Sequence, residues 1–170
     1  MKIIIDSREQ WPFPFEDFPC SVEVGSLPTG DYSLAGLESM IAIERKSLSD
    51  LLGCLTTGRE RFTRELERGR GMSFFAVIVE SPLSDLRAGQ YRSRMNPRAA
   101  VASVLSLSIR NRCPFYFCAD RDEAEAVTYD LLRLFLEGTQ KRLAAIVKAH
   151  GLPISPINAP QGPQVGEASL

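Results

Sequence analysis

The sequence is poor in the residues that usually bind zinc, since it contains one histidine and four cysteines. The cysteines are scattered without a C-x-x-C pair, so we expect reduced, mostly buried thiols rather than a zinc site. No apolar run approaches the ~20 residues that cross a bilayer. Asp6 and Arg8 interrupt the apolar start, which is therefore not typical of a signal peptide. We expect a cytoplasmic protein without a membrane partner.

Lysine is also scarce, because 16 of the 20 basic residues are arginine. Arginine presents a rigid fork of donors that matches phosphate geometry. A GC-rich genome produces the same bias, so the composition leaves both explanations open. The net charge of −1 does not indicate a partner. With 44% hydrophobic and 24% charged residues, the 170-residue chain is typical of one soluble globular domain.

The composition divides the chain into a domain over residues 1–150 and a tail over residues 151–170. The tail contains four prolines and three glycines, and we expect it to be flexible. In the domain, predicted strands cover residues 2–5, 21–24, 31–34, 40–44, 74–80 and 115–119, and predicted helices cover 47–55, 59–70, 98–111, 121–137 and 140–149. This alternation predicts an α/β fold, a three-layer α/β/α sandwich around a central mixed sheet.

Three acidic residues, Asp6, Asp31 and Glu44, stand at ends of predicted strands. Glu44 and Lys46 are two residues apart on one strand and therefore point to the same face. Carboxylates from neighbouring strands beside a lysine are suited to binding Mg²⁺, which takes one or two carboxylates and accepts substrate phosphate. The spacing alone is weak evidence, because each acid could equally be a solvated strand end.

The residues around these acids form a more specific pattern. Gly30-Asp31, Glu44-Arg45-Lys46 and Asp50 resemble the G-D-x(n)-E-R-K-x3-D signature of the XPF-type structure-specific nucleases. The preceding apolar run and Asp6-Ser7-Arg8-Glu9 resemble the D-x-R-E segment of that family, and Gly58-Arg59 its Gly-Arg pair. The resemblance covers about residues 2–137 and is closest to stand-alone bacterial and phage members.

The resemblance implies a restriction-endonuclease-like fold and a DNA endonuclease that depends on Mg²⁺ or Mn²⁺. The implied substrates are branched, flapped or junction DNA in repair, recombination or phage DNA processing. The metal ligands implied are Asp31 and Glu44, with Asp6 as a further ligand or water-binding carboxylate. Lys46 matches the lysine that orients the water and balances developing charge.

Four further residues match supporting positions of the family's active site: Arg8, Glu9, Arg45 and Asp50. We expect Arg8 to share the face of Asp6 and to hold phosphate. Arg45 alternates with Glu44 along the strand and must point to the opposite face. We therefore expect Arg45 to pair with Asp50 or Glu9 rather than to touch the scissile phosphate.

Other basic and aromatic residues are candidates for contact with DNA. The arginines favoured for phosphate contact are Arg59, Arg92, Arg94 and Arg98, although a solvated helix and loop would show the same pattern. The aromatic residues Trp11, Phe13 and Phe15 fit a hydrophobic cover over the core, with stacking on an unpaired base as the alternative.

The sequence lacks the G-x-x-x-x-G-K-[ST] and helix-hairpin-helix motifs that accompany larger family members. Junction recognition would then come from the nuclease domain or from an additional DNA-targeting partner. Two alternatives stay open: a non-catalytic member that only binds DNA, and a member that selects sequence rather than structure. The first is disfavoured because Asp31, Glu44 and Lys46 are all present.

The resemblance also suggests a dimer, because nuclease domains of this family generally pair. The apolar residues of the last two predicted helices exceed one core-facing stripe: Ala124, Val127, Leu131, Leu134, Phe135, Leu143, Ile146 and Val147. We expect a homodimer. A heterodimer, or burial of both helices deep in the sandwich, would explain the same excess of apolar residues. The expected location is the cytoplasm, with the nucleoid or, for a phage protein, the host cytoplasm.

Overall fold

A computed structural model of the protein describes residues 1–151. The predicted flexible tail lies outside the described residues, apart from residue 151. The chain divides into two units, one over Met1–Leu136 and one that begins at Glu137. No helix among residues 1–151 has both the length and the apolar character to cross a membrane.

Six strands form one mixed sheet. They are β1 (Lys2–Asp6), β2 (Ser21–Gly25), β3 (Tyr32–Leu34), β4 (Ile41–Lys46), β5 (Phe74–Val79) and β6 (Phe115–Phe117). Their order is β2-β1-β3-β4-β5-β6. Strand β3 pairs antiparallel with both β1 and β4, whereas the pairs β1–β2, β4–β5 and β5–β6 are parallel. The mixed sheet predicted from the sequence is confirmed.

Both faces of the sheet are covered, because its central strands are apolar on both sides. The helices are α1 (Leu48–Leu55), α2 (Arg59–Gly69), α3 (Leu83–Ala88), α4 (Pro97–Asn111) and α5 (Arg121–His150). On one face Phe75, Val77 and Val79 of β5 pack with α1–α4. On the other face Ala76 and Ile78 pack with the first part of α5. The result is the predicted three-layer arrangement.

The helices differ from the prediction in two places. Helix α3 was not predicted, because its 6 residues are too few to show a period. A break was predicted at Gly138, but α5 is continuous, since one helical glycine costs only about 1 kcal/mol. Helix α2 begins after Gly58, which makes no side-chain cap hydrogen bond. The predicted start of α4 is confirmed, with the Asn96 side chain accepting from the Arg98 amide at 2.9 Å.

Candidate active site

The position of Asp31 depends on the glycine before it. Gly30 has a φ of +78°, and a Cβ there would lie 2.8 Å from the Ala42 Cβ and 3.2 Å from the Ile43 carbonyl oxygen. The chain can therefore enter β3 pressed against β4. The Asp31 amide donates to the Ile43 carbonyl at 2.8 Å, and the Asp31 carboxylate accepts from the Arg45 amide at 2.7 Å. Asp31 is thus fixed beside the end of β4.

Alternation along β4 separates the charged residues that follow. Ala42 lies in the core formed with α1–α4, so Glu44 and Lys46 point to that face. Glu44 is only 3% exposed. The Lys46 ammonium forms an ion pair with the Glu44 carboxylate and lies 5.8 Å from the centre of the Phe62 ring. The predicted shared face of Glu44 and Lys46 is confirmed.

Burial changes the ionisation of the Asp31, Glu44 and Lys46 side chains. It raises the pKa of the Asp31 carboxyl to about 6. Burial and the charge of Asp31 together raise the pKa of Glu44 well above its ordinary value. Burial acts to lower the pKa of Lys46, but the charge and hydrogen bond of Glu44 outweigh it and raise that pKa overall. Two carboxyls that resist ionisation therefore lie beside one firmly charged lysine.

The two carboxyls suit a small, hard divalent cation. Mg²⁺ prefers oxygen ligands and usually takes one or two carboxylates, with water and phosphate filling its other positions. A divalent cation would offset the burial penalty on Asp31 and Glu44. Within residues 1–151, no three His, Cys, Asp or Glu side chains form a metal-binding group. The oxygen donors of Asp31 and Glu44 fit Mg²⁺ or Mn²⁺.

The site opens into a pocket of about 560 Å³ between the loop after β1, the end of β4 and the turn from α1 to α2. Asp31 and Lys46 line this pocket together with Arg8, Trp11 and Arg61. Its walls therefore carry two of the predicted catalytic residues, Asp31 and Lys46, together with cationic groups suited to phosphate.

Asp6 has a different environment from the one predicted. Its carboxylate accepts from the Arg8 amide at 2.9 Å, from the Arg8 side chain at 2.6 and 3.0 Å, and from the Leu27 amide at 2.7 Å. These four donors use all of the roughly four lone-pair positions of a carboxylate. Burial opposes ionisation of Asp6, but these hydrogen bonds outweigh it and lower its pKa. The contacts favour a positioning role, in which the Asp6 amide also holds the Asp31 carbonyl at 2.8 Å.

The role of Asp6 as a further metal ligand or water-binding carboxylate stays a prediction. The Arg8 guanidinium is engaged by Asp6 and by the Leu27 carbonyl, the latter at 2.8 Å. Its side chain is nevertheless 70% exposed at the pocket. Contact of Arg8 with phosphate therefore stays a prediction.

Arg45 points to the opposite face from Glu44, as predicted. Its guanidinium bridges Glu9 at 2.9 Å and Glu80 at 3.1 Å. Glu80 in turn binds Arg121 at 2.6 Å. Of the two predicted partners, Glu9 is confirmed, and Asp50 instead accepts from the Ser47 hydroxyl at 2.7 Å. Glu80 and Arg121 were missed, because nothing local in the sequence links them to Arg45.

Ser47 caps α1, and Asp50 lies in the first turn of that helix. The Asp50 amide donates to the Ser47 hydroxyl at 3.1 Å, and an acid in the first turn complements the helix dipole. Asp50 also lines the pocket. Its local contacts are thus structural, and a role in catalysis stays a prediction.

The four predicted DNA-binding arginines have different surroundings in the structure. Arg92 lines a groove that shares Ser49 and Gly53 with the pocket, whereas Arg98 lines a separate cleft on α4. Arg94 is exposed. The Arg59 guanidinium donates to the Leu55 carbonyl at 3.4 Å. Of the four, Arg92 lies in a groove that adjoins the pocket, and DNA contact by all four stays a prediction.

Two residues of α2 at the site were not singled out in the sequence. Arg61 lines the pocket, and Glu65 adds a hydrogen bond and negative charge that help to raise the pKa of Glu44. A signal was available for Glu65, because it is three residues from Phe62 and one from Leu66, both buried. Helical spacing turns such a residue towards the core side of the helix.

The chain matches the family model of the ERCC4 domain over residues 5–131. It is similar to "XPF from Aeropyrum pernix", with a TM-score of 0.64 and 25% identity, over 88% of this chain and 73% of that chain. It is also similar to "XPF from Aeropyrum pernix, complex with DNA", with a TM-score of 0.65 and 27% identity, over 81% of this chain and 66% of that chain. No curated protein matches the chain.

The stretch matched by the family model covers well over half of the chain. It contains Asp31 and Lys46, which line one pocket, and Glu44, which is buried and forms an ion pair with Lys46. The solved structures share the six-stranded mixed sheet and its helices. The resemblance and the restriction-endonuclease-like α/β fold are therefore confirmed, and the chain belongs to the ERCC4 domain family as an XPF-type nuclease domain.

Proposed function

We propose that the protein is a divalent-metal-dependent DNA endonuclease that hydrolyses phosphodiester bonds in branched, flapped or junction DNA. The observation that carries the proposal is the pair of carboxyls of Asp31 and Glu44 around Lys46: Asp31 lines an open pocket together with Lys46, and the buried Glu44 forms an ion pair with Lys46. Membership of the ERCC4 domain family supports it. We further propose that the enzyme acts in DNA repair, recombination or phage DNA processing, in the cytoplasm.

Asp31 and Glu44 would hold Mg²⁺ or Mn²⁺. The bound cation supplies Lewis-acid stabilisation of the phosphodiester charge and activation of the attacking water. Lys46 balances the negative charge that develops as one P–O ester bond breaks. An electrostatic group of this kind lowers the activation barrier by about 3–4 kcal/mol in comparable sites. The Phe62 ring and the Glu44 carboxylate fix the ammonium group in advance.

Cationic groups around the pocket would hold the DNA backbone. Arg8 and Arg61 lie on its walls, and Arg92 lies in the adjoining groove. Phosphate contacts of this kind fix the register of a nucleic acid without reading its sequence. The DNA complex solved for XPF from Aeropyrum pernix supports DNA as the substrate.

We also propose a homodimer, with an additional DNA-targeting partner as a further component. Three apolar side chains of α5, Leu134, Leu143 and Ile146, are 54%, 61% and 48% exposed. A two-fold pair is the commonest closed arrangement of identical chains. Light scattering at micromolar concentration tests this: we expect twice the chain mass of 18.8 kDa and a folded monomer for Leu143→Glu. A monomeric wild-type chain would contradict the homodimer.

The decisive assay for the function compares a flap substrate and a plain duplex of the same sequence. We expect Mg²⁺-dependent cleavage near the flap junction, weaker cleavage of the duplex, and none in EDTA. Cleavage that persists in EDTA would contradict the metal site. Equal cleavage of both substrates would favour sequence selection or a loose specificity. Tight binding of the flap without cleavage would instead identify a non-catalytic family member.

A further inference from the structure

Three aromatic residues of the loop after β1 have different environments. Phe13 and Phe15 are 1% and 2% exposed, whereas Trp11 is 73% exposed. The Phe13 ring stacks on Tyr32 with 5.1 Å between ring centres, and the Phe15 ring contacts Tyr32 edge-on at 5.6 Å. The expected hydrophobic cover is therefore formed by the two phenylalanines. Trp11 does not take part in it, although tryptophan is normally a well buried residue.

The backbone at Trp11 is held on both sides. Its amide donates to Glu9 at 2.7 Å, and its carbonyl accepts from Arg121 at 2.8 Å. Arg121 also donates to the Pro12 carbonyl at 2.8 Å and lies 4.8 Å from the centre of the Phe13 ring. The loop therefore presents an exposed indole from a fixed backbone, and a bound partner need not order that backbone.

The same contacts connect Trp11 to the catalytic strand. Glu9 binds the Arg45 side chain at 2.9 Å, and Arg121 is joined to Arg45 through Glu80. The Arg45 amide binds the Asp31 carboxylate. Trp11 also lines the pocket that contains Asp31 and Lys46. The backbone that carries the indole is thus connected by hydrogen bonds and ion pairs to the strand that carries Glu44 and Lys46.

We propose that Trp11 is a specificity-determining residue that stacks on an unpaired base next to the scissile phosphate. Every nucleobase offers a flat π-face to an aromatic side chain, so such stacking is tolerant of sequence. In an intact duplex both faces of a base are covered by its neighbours. An exposed indole beside the pocket therefore favours a strand whose base is already unpaired, as at a flap or junction. The inference rests on the proposed function and specifies how the site would select its substrate.

Trp11 is the single tryptophan of the chain, so its fluorescence reports on this position alone. The experiment titrates the wild-type protein in EDTA with an unlabelled single-stranded oligonucleotide, a flap and a matched duplex. A parallel titration with dye-labelled DNA measures binding by anisotropy. We expect strong quenching of the tryptophan emission at saturation with the single strand and the flap, and much weaker quenching with the duplex.

Three variants separate stacking from general binding. Trp11→Ala should weaken binding of the single strand and the flap by about five-fold or more, the loss typical of one stacked base. Binding of the duplex should change little, and Trp11→Phe should restore most of the affinity. Ile109→Ala is the matched control, because Ile109 is 79% exposed on α4. It should leave binding of all three substrates unchanged.

The outcomes distinguish this inference from the proposed function. Bound flap with unchanged tryptophan emission overturns the inference while leaving the nuclease intact. Cleavage of flap and duplex by Trp11→Ala in the wild-type ratio overturns it as well. If the wild-type protein binds none of the three DNA substrates, the proposed function fails, and the role of Trp11 fails with it.

Discussion

Replacing Gly30 with alanine tests how the fold positions the catalytic carboxylate. The φ of +78° at Gly30 costs an alanine about 1–2 kcal/mol. The new Cβ would lie 2.8 Å from the Ala42 Cβ and 3.2 Å from the Ile43 carbonyl oxygen, an overpacking that adds about 1–3 kcal/mol. We therefore expect Gly30→Ala to lower the free energy of unfolding by about 2–5 kcal/mol, the sum of these two contributions.

Gly36 provides the matched control. Its φ is +77°, but a Cβ there would meet no heavy atom within 4 Å. Gly36→Ala should therefore carry only the conformational cost of about 1–2 kcal/mol. Urea unfolding followed by circular dichroism measures both variants, and the difference between them isolates the close approach of Gly30 to β4.

The same substitution should reduce cleavage. If the start of β3 moves away from β4, the 2.7 Å hydrogen bond from the Arg45 amide to Asp31 is lost. A displacement of about 1 Å lowers turnover roughly 100-fold in well-positioned sites. Gly36→Ala should cleave at the wild-type rate below its unfolding transition. Equal stability losses for the two variants, together with full activity of Gly30→Ala, would refute this reasoning.

Three further predictions follow from contacts away from Asp31. Arg45→Lys should lower the free energy of unfolding, measured in urea, by about 1.5–3 kcal/mol. The reason is that a lysine does not bridge Glu9 and Glu80 as the fork of Arg45 does. An unchanged midpoint of urea unfolding would contradict this role. Arg92→Ala should reduce the slope of the logarithm of the DNA-binding constant against the logarithm of salt concentration by about 0.9. Arg98 lies in a separate cleft, so Arg98→Ala should leave this slope unchanged. Equal slopes for both variants would mean that Arg92 does not contact phosphate. In the native protein at pH 8, a thiol reagent should label Cys20 alone, since Cys54, Cys113 and Cys118 are buried. Burial also raises the pKa of the Cys113 thiol to about 12. Labelling of more than one thiol would contradict the packing.

The parts of the site that follow from local periodicity were predictable. Two-residue alternation along β4 places Glu44 and Lys46 on one face and Arg45 on the other, and the structure confirms this. Asn96 and Pro97 likewise mark the start of α4, because the signals for a helix start lie within a few residues of it.

The parts that depend on distant segments were not predictable. The donors that surround Asp6 include the amide of Leu27, 21 residues away. Glu80, which follows β5, binds Arg45, and Arg121 at the start of α5 binds Glu80. The exposure of Trp11 next to buried Phe13 is also a tertiary feature, since the sequence shows only an aromatic-rich loop.

The central claim is that Asp31 and Glu44 hold the cation with which this protein cuts DNA. Single-turnover cleavage of a flap substrate in Mg²⁺ by Glu44→Gln tests it most directly. Glu60→Gln is the control, because the Glu60 side chain is 94% exposed on α2. We predict that Glu44→Gln binds the flap but does not cleave it, while Glu60→Gln cleaves at the wild-type rate. Cleavage by Glu44→Gln at a rate close to wild type would contradict the account.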